Sequence, residues 1–421
     1  MTTISRRAML SAAAATAAVG AVTACSSGSS AGSDAEGRGD GGNGGGTPGS
    51  SGSPAVKGTP IGDGSTSDTG AQPNQPKPEK LAPGERPPQF VVFSWDGAGG
   101  TDDGQFPRFL KLAEEYKATM TFFLSGIYAL PKSKADLYHP PKHSVGASDI
   151  PYLSDGAVKS TLKLISQAWL AGHEIGTHFN GHFCSTRSDG NGVNKWSPED
   201  WESEIEQAVS FVTQWRTNTG FTDVDPLPFD YRKELIGGRT PCLEGQQALL
   251  PTAAKLGWKY DASSPGGQQI WPQKVQGGKI WDFPLQGIPF PGHSFQVLSM
   301  DYNILANQSS GSTKGDPGKY DEWRTQAKEA YLAGFNRAYT TNRAPFFVGN
   351  HFEQWNGGIY MDAVEETLKA IAGKPEVRLV SFRQLVEWLE VQDQSTLRKL
   401  RTLGVGQEPA GGWESFLGSA G

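Results

Sequence analysis

Apolar residues fall in short runs along this chain, separated by longer stretches in which they return every three or four positions. Phe90-Val91-Val92-Phe93-Ser94-Trp95 is a run of β-branched and aromatic residues that predicts a buried strand, and Asp96-Gly97 stops it. Phe106, Phe109, Leu110, Ala113 and Tyr116 then recur at helical spacing, and 118–124 predicts a second strand. Residues 158–170 form another amphipathic pattern, and 172–178 predicts a short strand ending in a polar cluster. Ser197-Pro198-Glu199-Asp200 is a capping box with proline at the first helical position. It opens a helix on which Trp201, Ile205, Val209, Val212 and Trp215 share one broad face. Downstream, 246–256, 361–371 and 382–389 predict helices, and 345–348 and 377–380 strands. About 300 residues of such alternation, without a second Pro/Gly linker, predict one α/β domain over 89–392 with a parallel, barrel-like sheet. The segments 128–155 and 307–319 read as long surface loops, and 393–421 as a polar C-terminal tail.

The residues before Gln89 are of two other kinds. In 1–25, Arg6 and Arg7 precede a short Ala-rich apolar run, the pattern of an export signal, and Ser5-Arg6-Arg7-Ala8-Met9-Leu10 resembles the twin-arginine form. Val22-Thr23-Ala24-Cys25 looks like a bacterial lipobox, which makes Cys25 the expected lipidated N-terminus; a plain signal-peptidase site is the alternative. The expected location is the outer face of the bacterial cytoplasmic membrane, or outside the cell. Residues 26–88 hold 16 Gly, 10 Ser and 9 Pro and no aromatic. With so little apolar surface to bury, they are expected to be a disordered tether of roughly 40–50 Å r.m.s. span.

Composition narrows the function. Against 38 Lys+Arg stand 44 Asp+Glu, and a net charge of −6 gives no bulk attraction to nucleic acid. No run of 18 apolar residues follows residue 25, which excludes a polytopic membrane protein and leaves the lipid as the expected membrane contact. A monomer is expected. Chemistry concentrates at predicted strand ends. His178 and His182 can present two imidazoles to one metal ion, or be ordinary loop histidines. Asp96 supplies a carboxylate at the end of the first strand, or merely a turn. In a parallel barrel such C-terminal ends share the face where active sites are assembled.

Four ordered motifs carry a resemblance to the polysaccharide deacetylases, the NodB-homology domain of carbohydrate esterase family four. They are Phe93-Ser94-Trp95-Asp96-Gly97, the stretch from Gly172 to His182 with both histidines in register, Arg239-Thr240-Pro241, and Val348-Gly349-Asn350-His351. The resemblance implies a distorted (β/α)7-type barrel and one divalent metal, zinc by default with cobalt or nickel admissible. It implies hydrolysis of N-acetyl groups on the amino sugars of a glycan polymer, peptidoglycan or chitin-like. Asp96 would act as base and metal ligand beside His178 and His182. Arg239 would orient Asp96, the backbone N–H of Cys242 would bind the oxyanion, and His351 would protonate the departing amine.

Departures from the family pattern matter as well. Gly97 stands where the family has a second aspartate, so Asp102 or Asp103 is a candidate substitute ligand. Phe179 replaces a small hydroxyl residue, and Asp261 is the candidate for positioning Arg239. With Cys25 assigned to lipid, Cys184 and Cys242 are expected at the same barrel mouth and joined as a disulfide, with metal ligation by cysteine as the rival. Trp271, Trp281 and Trp355 are candidate sugar platforms, and Glu353 is a candidate neighbour of the site. A lipoprotein that keeps the barrel but only binds glycan is the competing function. Hydrolysis of non-glycan amides is a lesser third reading.

Overall fold

The computed structural model describes residues 58–100 and 104–418. The export segment, Cys25, the tether up to residue 57, Asp102 and Asp103 lie outside the described residues. Two short strands come first, β1 (Thr59–Ile61) and β2 (Thr66–Asp68), followed by β3 (Gln89–Asp96), β4 (Thr121–Leu124) and β5 (Glu174–Thr177). Next are β6 (Tyr260–Asp261), β7 (Gln273–Val275), β8 (Ile280–Asp282), β9 (Gly287–Pro289) and β10 (Gln296–Leu298). The last two are β11 (Phe346–His351) and β12 (Val377–Leu379).

The sheet runs β11-β3-β4-β5 with all pairs parallel, and β12 joins the first half of β3. Past β5, Thr177 bridges Gly238, and the Ala262 N–H donates to the Gly238 carbonyl, which brings in β6 and then β8. The chain after β8 reaches Gln286, whose carbonyl accepts from the Ser299 N–H at 2.9 Å. The Ser299 carbonyl in turn accepts from the Gly349 N–H in β11 at 2.9 Å. The ring is thereby closed as a distorted barrel.

Alternation along β3 sorts its side chains. Val91, Phe93 and Trp95 face the helical layer, where Trp95 packs against Phe109 and Phe352. Phe90 and Val92 belong instead to the barrel filling with Phe123, Tyr260, Phe283, Phe347 and Phe382. Each such buried aromatic contributes on the order of 2–3 kcal/mol. Ser94 and Asp96 continue the inward row, so the period of two places one carboxylate at the top of the filled barrel. The helix Pro198–Thr213 forms with Ser197 as its N-cap and the capping box complete, and it buries Trp201, Ile205, Val209 and Val212 as the spacing predicts.

Two segments depart from expectation. Residues 58–88 are not a free tether: Ser65 and Thr66 are buried, and the Ser65 carbonyl accepts from the Trp215 indole N–H at 2.7 Å and the Leu227 N–H at 2.9 Å. Gln72 Nε2 donates to the carbonyls of Trp169 and His173. This stretch is held by polar bonds to backbone, which an apolar count does not register. The tail is also docked in part, since Leu397, Leu400 and Leu403 are buried. No helix among the described residues is long and apolar enough to cross a membrane.

Candidate active site

The parallel register pairs His351, the last residue of β11, with Asp96, the last of β3. His178 follows β5 directly, its N–H donating to the Leu124 carbonyl at the end of β4 at 2.8 Å. These three and His182 line one cavity of about 90 Å³, together with Ser125, Tyr128 and Glu353.

Asp96 is buried, and burial alone would raise its pKa. Arg239 overturns this: its Nη1 donates to Asp96 Oδ1 at 2.8 Å, and with His351 nearby it holds the carboxyl below the usual carboxylate range. The same Nη1 donates to Ser94 Oγ at 2.9 Å, and Nε donates to the Ala262 carbonyl at 3.1 Å. The guanidinium carbon lies 4.9 Å from the centre of the Phe123 ring, so a fully buried cation sits on the aromatic filling with its charge matched by Asp96.

His178 Nδ1 lies 2.7 Å from the Arg239 carbonyl, which can only accept, so Nδ1 carries the hydrogen and Nε2 the lone pair. Burial lowers the His178 pKa to about 3, and the ring is neutral. Nε2 is buried and has no hydrogen-bond partner among the described residues. His182, 5.1 Å away between ring centres, is lowered by burial and by His351.

The loop joining the two histidines hangs from Glu204. The Asn180 N–H donates to Glu204 Oε1 at 3.0 Å, Tyr138 Oη donates to the same carboxylate at 3.0 Å, and the Gly181 N–H donates to Tyr138 Oη at 3.1 Å. Phe179 and His182 both take positive φ, 60° and 57°, a conformation that the surrounding bonds must maintain.

His351 has a partner that sequence reasoning missed. Its N–H donates to Asp301 Oδ2 at 2.7 Å, and its Nδ1 lies 2.8 Å from Asp301 Oδ1. Burial pulls the imidazole pKa down, but Asp301, with Asp96 and Glu353, pushes it up to about 9. His351 therefore carries a proton at neutral pH. Tyr128 is raised to about 12 by burial and stays a phenol, and Ser125 Oγ is buried without a partner among the described residues.

The donor set fits a divalent cation: one anionic oxygen and two neutral imidazoles, one of which offers a buried Nε2, without a partner among the described residues, whose opposite nitrogen is fixed by a carbonyl. The set is loosely gathered. Among the described residues, the three candidate ligand atoms lying within 4.8 Å of one another are those of His182, Cys184 and Cys242.

Other candidates fall elsewhere. Cys184 and Cys242 are bonded, with Cα atoms 5.8 Å apart. Cys242 is exposed, takes a left-handed φ of 57°, and is not among the residues that line the cavity. Phe179 turns away into the core against Trp201, 4.7 Å between ring centres. Asp261 makes no direct bond to Arg239 among the described residues; its carboxylate accepts from Ser263 and Gln246, and Ser263 Oγ accepts from the Thr240 N–H. Trp271 and Trp281 are buried, each with its indole N–H bonded inside the protein, and so are not sugar platforms. Trp355 is only partly buried and lies 5.2 Å from His351 between ring centres.

Comparison with protein-family models gives no match, and no curated protein matches the chain. Solved structures do. The chain is similar to a Mycobacterium smegmatis protein assigned as a polysaccharide deacetylase, at 16% identity over 74% of this chain and 95% of that one, TM-score 0.42. It is similar to the Bacillus subtilis peptidoglycan deacetylase PdaC, at 12% identity over 75% and 96%, TM-score 0.35. It is also similar to the allantoinase Puue, at 12% identity over 72% and 90%, TM-score 0.40.

Proposed function

We propose that the chain is an exported, lipid-anchored, metal-dependent hydrolase that removes N-acetyl groups from amino sugars of a glycan. The observation that carries this reading is the pairing, in one small cavity, of a carboxylate kept ionised by Arg239 with an imidazole kept protonated by Asp301. Export and anchoring are supported by the arginine pair and Val22-Thr23-Ala24-Cys25.

Asp96, His178 and His182 would hold the cation, zinc by donor type. When bound, it supplies polarisation of a carbonyl and acidification of a water. The chain's own residues do the rest. Asp96 accepts a proton from the attacking water. Ser125 Oγ and Tyr128 Oη, both on the cavity wall, donate to the oxygen that gains charge. His351 gives its proton to the amide nitrogen as the C–N bond breaks, so an amine and acetate leave. The small cavity would admit an acyl group, and Trp355, 5.2 Å from His351 between ring centres, would offer a face to a sugar ring.

A glycan-binding protein without turnover is favoured by one observation, Gly97 in place of a second carboxylate beside Asp96. The test is acetate release from N-acetylglucosamine oligomers and peptidoglycan fragments by the zinc-loaded chain. Release that is lost in His351→Asn supports the hydrolase. Zinc bound with no release from any of these substrates supports the binder.

A further inference from the structure

The loop carrying His182 and the turn after Arg239 meet at the tightest group of metal-binding atoms among the described residues: His182, Cys184 and Cys242, within 4.8 Å of one another. Cys184 Sγ lies 3.7 Å from His182 Nδ1. With metal–sulfur and metal–nitrogen bonds of about 2.3 and 2.0 Å, a tetrahedral ion holds its ligand atoms roughly 3.5 Å apart. The sulfur–nitrogen spacing is thus already that of a chelate. What prevents chelation is the bond between the two sulfurs.

That bond is reachable, because Cys242 is exposed and Cys184 half-buried. The two loops are also clamped independently of it. The Ser185 N–H donates to Glu244 Oε2 at 2.7 Å, and the Ser185 hydroxyl donates to Glu244 Oε1. Each contact joins a residue next to Cys184 to one two positions beyond Cys242, so the sulfurs remain neighbours after the bridge opens.

We propose that Cys184, Cys242 and His182 form a redox-gated site for a thiophilic divalent cation such as zinc, closed in the disulfide form. A dithiol reductant delivers two electrons and two protons; the S–S bond breaks to two thiols while the dithiol becomes a disulfide. The incoming cation then displaces the two thiol protons, and His182 Nδ1 adds its lone pair as third ligand. His182 also belongs to the Asp96–His178–His182 set, so loading this site competes for one imidazole of the hydrolytic centre. That last consequence rests on the hydrolase reading; the site itself does not.

Cobalt(II) is the probe, added to the full chain carrying Cys25→Ser so that two thiols remain. One sample is left oxidised and the other reduced with dithiothreitol and desalted without oxygen. The reduced protein is expected to show a thiolate-to-cobalt charge-transfer band that the oxidised protein lacks. Cys184→Ser or Cys242→Ser should abolish the two-thiolate intensity, and His182→Ala should weaken cobalt binding at the thiolates at least tenfold. No band after reduction, or equal affinity in His182→Ala, overturns the proposal. Acetate release by the oxidised, zinc-loaded protein is measured separately, so loss of the hydrolase reading and loss of this site are told apart.

Discussion

His351 and Asp96 are register partners at the ends of two neighbouring parallel strands, one held cationic and the other anionic. The opposed states come from different supports. Asp96 leans on Arg239 inside the barrel, and His351 leans on Asp301 at the start of the helix Asp301–Ser309.

Asp301→Asn removes the charge that keeps His351 protonated. Activity should fall at neutral pH, and the alkaline limb of the rate profile should move down from near pH 9 by more than one unit. A pH series of acetate release checks this, and an unmoved limb would show that Asp301 has no part in it.

The same pair sets a stability term. The folded-state pKa of His351, about 9, lies above the ordinary 6.5, so its contribution is full below pH 6.5 and is lost as pH rises through 9. The difference is worth on the order of 3 kcal/mol. Urea midpoints of the chain should drop over that window, and in His351→Asn the drop should be smaller.

Arg239→Met leaves Asp96 charged, buried and unpaired, which should cost roughly 3–5 kcal/mol of stability. Denaturant titration measures it. A loss under 1 kcal/mol would mean that the pair is not the support described.

Glu204→Leu strips the acceptor from the Asn180 N–H and Tyr138 Oη, at roughly 1–3 kcal/mol for each orphaned donor. The loop between the histidines should loosen, and zinc affinity should fall about 10–100-fold. Competition with a chromogenic chelator reads the change.

Beginning the chain at residue 89 rather than 58 removes the acceptor of the Trp215 indole and the partners of Leu227. The shorter form should be less stable by at least about 3 kcal/mol, several such bonds being lost together. Equal denaturation midpoints would return the segment to the role of a tether.

What was legible in the sequence followed regular patterns. The run from Phe90 to Trp95 announced β3, and Ser197 to Asp200 announced the helix that carries Glu204. Asp96, His178 and His351 were each visible at a strand end, and His182 by its H-x-x-x-H spacing from His178. Asp301 was not, because an aspartate opening a helix looks like ordinary helix-end electrostatics until the fold sets it beside β11. Nor was the docking of 58–88, whose grip comes from Gln72 and Ser65 bonding to distant backbone. For Cys242 the place after Pro241 was legible, and the left-handed turn it makes there was not.

Zinc titration of the metal-free, disulfide-bonded chain at neutral pH tests the centre most directly. One ion per chain is predicted, bound at least tenfold more weakly in each of His178→Ala, His182→Ala and Asp96→Asn. Binding unchanged in all three variants, or no binding in the parent, would contradict it.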